Sequence, residues 1–111
     1  MTLVNLTPHA INFVDGAGNA VLAIEPSGTI ARVSTKTVEL WRYEVEGGEI
    51  PVTATQFGNV EGLPAPEEGT IYIVSSLVAQ RVPDRADVFI PNESVRDERG
   101  RIVGCRSLGR I

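Results

Sequence analysis

The chain has one cysteine, Cys105, and one histidine, His9, among its 111 residues. A single cysteine rules out an intramolecular disulfide and suits a reducing compartment. One histidine and one cysteine, far apart, give no zinc-ligand spacing, so no metal and no cofactor is expected. The sequence has no G-x-S-x-G elbow, no phosphate-binding Walker loop and no H-E-x-x-H pair. Gly16-x-Gly18 lacks the third glycine and the following helix of a dinucleotide fingerprint. No apolar run approaches the roughly 18 residues of a membrane span; the longest are short, such as Ile71-Tyr72-Ile73-Val74. The first residues carry no basic region, so no signal peptide and no membrane partner are expected, and the cytoplasm is the expected location.

What is present fits a folded, soluble domain. Apolar residues make up 42% and charged residues 22%, outside the disordered range. The net charge is −4, unevenly placed. Residues 1–70 hold three basic and nine acidic groups, and residues 71–111 hold seven basic and five acidic. All seven of those later basic groups are arginines, and Lys36 is the only lysine. Arginine suits bidentate contact with carboxylate or phosphate; the plainer reading is solvated surface charge. The negative overall field and the lack of a basic, aromatic-laced stripe argue against duplex nucleic acid.

The pattern predicts an α+β fold in a single domain over 1–111. It is mostly β, a mixed or antiparallel sheet with hairpins, with one short helix near 76–82. Strands are expected over Leu3–Leu6, Ala10–Val14, Val21–Ile24, Thr29–Val33, Thr37–Val45 and Ile50–Phe57, with turns at Asp15–Asn19, Glu25–Gly28 and Gly47-Gly48. Trp41 and Tyr43 share a strand face and read as core or interface; alternation puts Thr37 and Glu39 there too, which argues against full burial. Gly58–Gly69 reads as a long loop. Ile71–Val74 is apolar on both faces and should be central. Ser75-Ser76 caps a helix that Pro83 stops. Asp87–Ile90 is a strand ended by Pro91. Val95–Asp97 and Arg101–Val103 flank a last hairpin, after which the chain leaves through Gly104-Cys105-Arg106. The spacing leaves open whether the strands at 71–74 and 88–90 run parallel.

Chemistry concentrates in few places. Pro8 stops the first strand and stiffens a corner that presents Thr7 and His9. His9 is a candidate base, metal ligand or ligand contact, or simply caps local backbone. Ser75 and Ser76 stand at the carboxyl end of a buried strand, where ligands favour binding, though one of them should act as an N-cap. Arg96, Arg99, Arg101 and Arg106 lie on the last hairpin and could face a phosphate. The residues expected to contact a ligand are Asn5, Thr7, His9, Ser75, Ser76, Arg96, Asp97 and Arg106. No catalytic set is expected, although Ser75, His9 and Asp97 exist in composition. Cys105 reads as a small buried residue.

Five segments in fixed order resemble a family of small uncharacterised proteins of tailed phages and prophages. They are Asn5–Ile11, Pro26–Val33, Val60–Pro64, Tyr72–Ala79, and Val95–Asp97 with Gly104–Arg106. The resemblance implies an accessory protein in a bacterial cytoplasm, of a kind that often counters host defence; it supplies no reaction. The expected function is non-catalytic capture of a small anionic, nucleotide-like ligand, a task that suits a homo-oligomer. The alternatives are an inhibitor or assembly factor acting on a host or phage protein through its acidic part and the Gly58–Gly69 loop, and a small hydrolase using His9 and Asp97.

Overall fold

A computed structural model describes residues 1–111. The fold is mostly β, with a mixed sheet and one short helix. The elements are β1 (Thr2–Asn5), β2 (Ile11–Val14), β3 (Ala20–Ile24), β4 (Arg32–Val45), β5 (Gly48–Glu61), β6 (Thr70–Ile73), α1 (Ser76–Arg81), β7 (Val88–Arg96) and β8 (Ile102–Gly109). Six strands form one sheet in the order β1-β6-β7-β8-β2-β3. β1, β6 and β7 are parallel, as are β2 and β8, while β7–β8 and β2–β3 are antiparallel. The β6–α1–β7 unit is thus a parallel pair joined by a short crossover.

The sheet curls until its edges meet. Asn5, at the end of β1, bridges Pro26, just beyond β3, and the Ser27 amide donates to the Asn5 carbonyl at 2.9 Å. Alternation along β6 divides the core. Tyr72 and Val74 face α1 with Leu6, Ala31, Val78, Ala79 and Val88. Ile73 faces the other way, with Ile11 and Cys105 and the flanking Leu3, Phe13 and Leu108. A strand apolar on both faces needs such double cover.

β4 and β5 stand apart as a two-stranded ribbon, 14 residues on each side and so roughly 45 Å long. It raises the radius of gyration to 18.3 Å, against roughly 13 Å for a compact chain of this length. Its base is anchored. Val33 and Val60 pack on the core, and the Arg81 guanidinium of α1 sits 4.6 Å from the Phe57 ring centroid.

Several sequence expectations are corrected here. Thr29–Val33 is not a separate strand: Arg32 begins the long β4. Gly58–Gly69 is not one loop, because β5 runs to Glu61. Gly62 is required where the chain leaves β5, since its φ is +81° and a Cβ there would meet the Ile30 carbonyl oxygen. Pro91 does not end β7. β6 pairs with β7 only as far as Phe89, so beyond it one edge of β7 has no ladder to supply and a missing N–H is tolerated. Gly104–Arg106 is not an exit but the middle of β8. Finally, Thr37 and Glu39 do not share a face with Trp41. The register slips between Glu39 and Trp41, and that bulge at Leu40 changes which way the later residues point.

Candidate functional site

The corner after β1 is built around one buried side chain. Asn5 is 1% exposed, and its amide serves three segments. Nδ2 donates to the His9 carbonyl at 2.8 Å and to the Ile24 carbonyl at 3.1 Å. Oδ1 accepts from the Thr7 amide at 2.9 Å and lies 2.7 Å from Thr7 Oγ1. Thr7 Oγ1 is also 3.0 Å from the His9 carbonyl, so its single proton serves one acceptor at a time. With Pro8 fixing the backbone between them, Thr7 and His9 are held as a stiff unit.

That corner forms one wall of a pocket of about 310 Å³. The opening arises because β6 stops at Ile73 and turns away into α1, whereas β7 continues beyond it to Arg96. Thr7, His9 and Ser75 line the pocket, together with Ser94 from β7 and Cys105 from β8. Ile11, Val74, Pro91 and Ile102 supply apolar wall. Glu93 has φ of 55°, the one non-glycine residue with positive φ. Such a conformation costs an L-residue on the order of 1–2 kcal/mol. The resulting kink breaks strict alternation, so that Pro91 and Ser94 both reach the pocket. Burial pushes the Cys105 thiol above its usual pKa, which leaves it a neutral, weakly polar wall group.

The expected residues divide. Thr7, His9 and Ser75 are brought together. Asn5 braces the corner from behind and is no part of the wall. Ser75 Oγ accepts from the Val78 amide at a long 3.5 Å, as the helix cap. Ser76 points elsewhere, accepting from Gln80 Nε2 at 3.0 Å. Asp97 lies outside, folding the β7–β8 turn. Its Oδ1 accepts from the Arg99 and Arg101 amides at 2.9 and 3.0 Å, and its Oδ2 pairs with Arg101 Nε at 3.0 Å. The Arg101 amide above all holds that carboxyl below the usual range. Arg106, next to the wall residue Cys105, points to the other side of β8 and lies over the Asp15–Asn19 turn, beside Gly16.

The arginines are used mostly as ties to irregular backbone. Arg96 Nη1 donates to the Gly100 carbonyl at 2.7 Å, Arg85 Nη2 to that of Pro64 at 2.9 Å, and Arg110 Nη1 to that of Ala86 at 2.9 Å. Arg85 also grips Asp87 through two hydrogen bonds, at 2.8 and 2.9 Å. No arginine or lysine lines the pocket. Arg96, opposite the wall residue Ile102 in the register, adjoins the pocket.

The chain matches no family model, no curated protein and no solved structure. The chemistry of the site therefore has to be read from its own residues. Sequence reasoning missed Ser94 and the Ile102–Cys105 stretch. Both depend on β7 continuing through Pro91 and on the positive φ of Glu93 within it, and a strand with an internal proline carries no local signal for either. No cluster of three or more His, Cys, Asp or Glu side chains is placed to hold a metal ion. No helix is long and apolar enough to cross a membrane.

Proposed function

We propose that this chain is a non-catalytic binding protein that captures a small nucleotide-like molecule in the corner pocket. The observation that carries the reading is the convergence of Thr7, His9, Ser75 and Ser94 over an apolar wall, in one concavity at the carboxyl ends of β1 and β6. A few polar groups over apolar walls is the usual composition of a ligand site, and its volume lies at the small end of the range for such sites. An uncharged ring system suits the walls. A phosphate would lie at the rim beside Arg96, which keeps further N–H groups after serving Gly100. The separation of Asp97 from His9 gives the hydrolase reading no support. We propose further, following what the resemblance to tailed-phage proteins implies, that this capture is an accessory function in a bacterial cytoplasm, directed at a host defence signal.

The test is native mass spectrometry of protein purified from bacteria expressing this chain, followed by denaturation. The reading expects an added mass that leaves on denaturation and is absent from a Ser94→Phe variant, whose larger side chain fills the pocket. Arg96→Ala should weaken a phosphate-bearing ligand about tenfold, the loss of one charge-assisted bond. An added mass retained by Ser94→Phe would move the site elsewhere.

A further inference from the structure

The ribbon presents two unlike faces. Cross-strand partners share a face, and the register pairs Val38 with Ala54, Trp41 with Val52, Tyr43 with Ile50 and Val45 with Gly48. All of these side chains are uncharged. The other face pairs Glu39 with Thr53, Arg42 with Pro51 and Glu44 with Glu49. There Arg42 Nε bonds Glu39 at 2.7 Å, and its Nη1 lies 3.4 Å from Glu49. The bulge at Leu40 makes this separation, by turning Trp41, Tyr43 and Val45 away from Glu39.

Nothing in the chain covers the apolar face. Trp41 is 50% exposed, Tyr43 57% and Ile50 53%, with the two aromatic rings edge to face at 6.2 Å. Its own body does not cover it. The face that carries Phe57 and Val33 at the base, against α1 and the core, continues outward as the charged one. A two-stranded ribbon alone is marginally stable in water, and an exposed apolar patch of a few hundred Å² is often a contact surface.

We infer that the apolar face of the β4–β5 ribbon is covered by the same face of a second copy of this chain. A two-fold contact would set this uncharged patch against its own copy. Between Val38 and Gly48 it holds no charge, so stacking two such faces buries no unpaired ion. The exposed parts of these side chains amount to on the order of 400 Å² per chain, so a pair buries roughly 800 Å², less than a stable dimer needs and in the range of weak, transient contacts. The dimer is therefore in equilibrium with monomer over an accessible range of concentration. A second copy is also the one partner present whenever the ribbon folds.

Trp41 is the only tryptophan and sits in the patch, so it reports the contact directly. Sedimentation and fluorescence are followed together on dilution from tens of micromolar to tens of nanomolar. The expected result is a mass falling from twice 11.9 kDa to that of one chain, with emission moving to longer wavelength in step. Ile50→Arg, near the tip of the ribbon and far from the core, should make the protein monomeric at all concentrations, with its circular dichroism otherwise kept. Thr53→Arg, on the charged face, should leave the dimer intact. A chain monomeric at tens of micromolar, or a dimer that survives Ile50→Arg with unchanged emission, would overturn the inference. So would a monomer whose Trp41 emission shifts only when a different protein is added.

Discussion

Asn5→Ala is the sharpest test of the corner. The substitution leaves the Thr7 amide and the His9 and Ile24 carbonyls without the partner that now serves them at 2.8–3.1 Å. A buried group left unpaired costs about 1–3 kcal/mol. Thr7 is half-buried and His9 exposed, so water reaches part of the corner and the lower figure applies to each group. The expected loss is about 3 kcal/mol, a large part of the 5–15 kcal/mol that holds a typical domain. It should appear as a fall of roughly 12 °C in Tm. In urea the midpoint should fall while the slope is unchanged. Asn5→Asp adds a sign. At pH 8 the introduced carboxylate would aim an oxygen at two carbonyls, so its pKa should rise on folding. A raised acid pKa means that the folded state holds the proton more tightly than the unfolded one. Stability is then greatest below the unfolded value, near 3.9, and is lost as pH rises through the folded value. Asn5→Asp should thus be weaker than Asn5→Ala at pH 8 and recover on acidification. A loss under about 1 kcal/mol for the alanine variant, or an aspartate variant as stable as wild type at pH 8, would refute the brace.

Other outcomes follow from single contacts. Gly104→Ala should lose about 2 kcal/mol in denaturant unfolding, because its Cβ would stand 2.7 Å from the Asn12 carbonyl oxygen and 3.1 Å from Val14 Cγ1, wedging β8 from β2. Glu93→Gly should raise thermal stability by roughly 0.5–1 kcal/mol, by relieving the positive φ; a loss would show that the glutamate side chain has another task. The Arg85 hydrogen bonds hold the Asp87 carboxyl below its usual range. Wild type should therefore lose stability as acid carries the pH down from 3.8 through the folded value, and Asp87→Asn should show less of that acid loss. Cys105 should resist a soluble alkylating reagent at pH 8 in the folded protein and react once denatured, since burial raises its pKa and only the thiolate attacks.

Much of this fold was legible from short-range pattern. The hairpin turns at Asp15–Asn19 and Gly47-Gly48, the doubly covered β6, the Ser75 cap and the six-residue helix all rest on nearest-neighbour chemistry, which a sequence displays. The stiff corner at Thr7-Pro8-His9 was legible too, but its nearness to Ser75 was not, because it depends on the parallel pairing of β1 with β6. What escaped depends on distant partners. Pro91 is tolerated only because β6 ends early, and Asn5 is a brace rather than a contact only because β3 comes round to meet it. Arg96 and Arg106 looked alike in sequence, yet one staples Gly100 and the other covers Gly16. The bulge at Leu40 reversed the faces of Trp41 and Glu39 without any glycine or proline to announce it.

The meeting of the sheet edges at Asn5 also sets a timetable for folding. β2–β3 and β4–β5 join neighbours and can form as soon as their residues exist. β1 has no such partner. Thr2 pairs with Thr70, more than half the chain away, and the bridge at Pro26 is useful only once β1 is in place. β1, which precedes its partner β6 in the chain, is thus among the last strands to dock, and it waits with Leu3, Val4 and Leu6 uncovered. Refolding should be governed by this long-range capture rather than by the ribbon, whose two strands are joined by a tight turn.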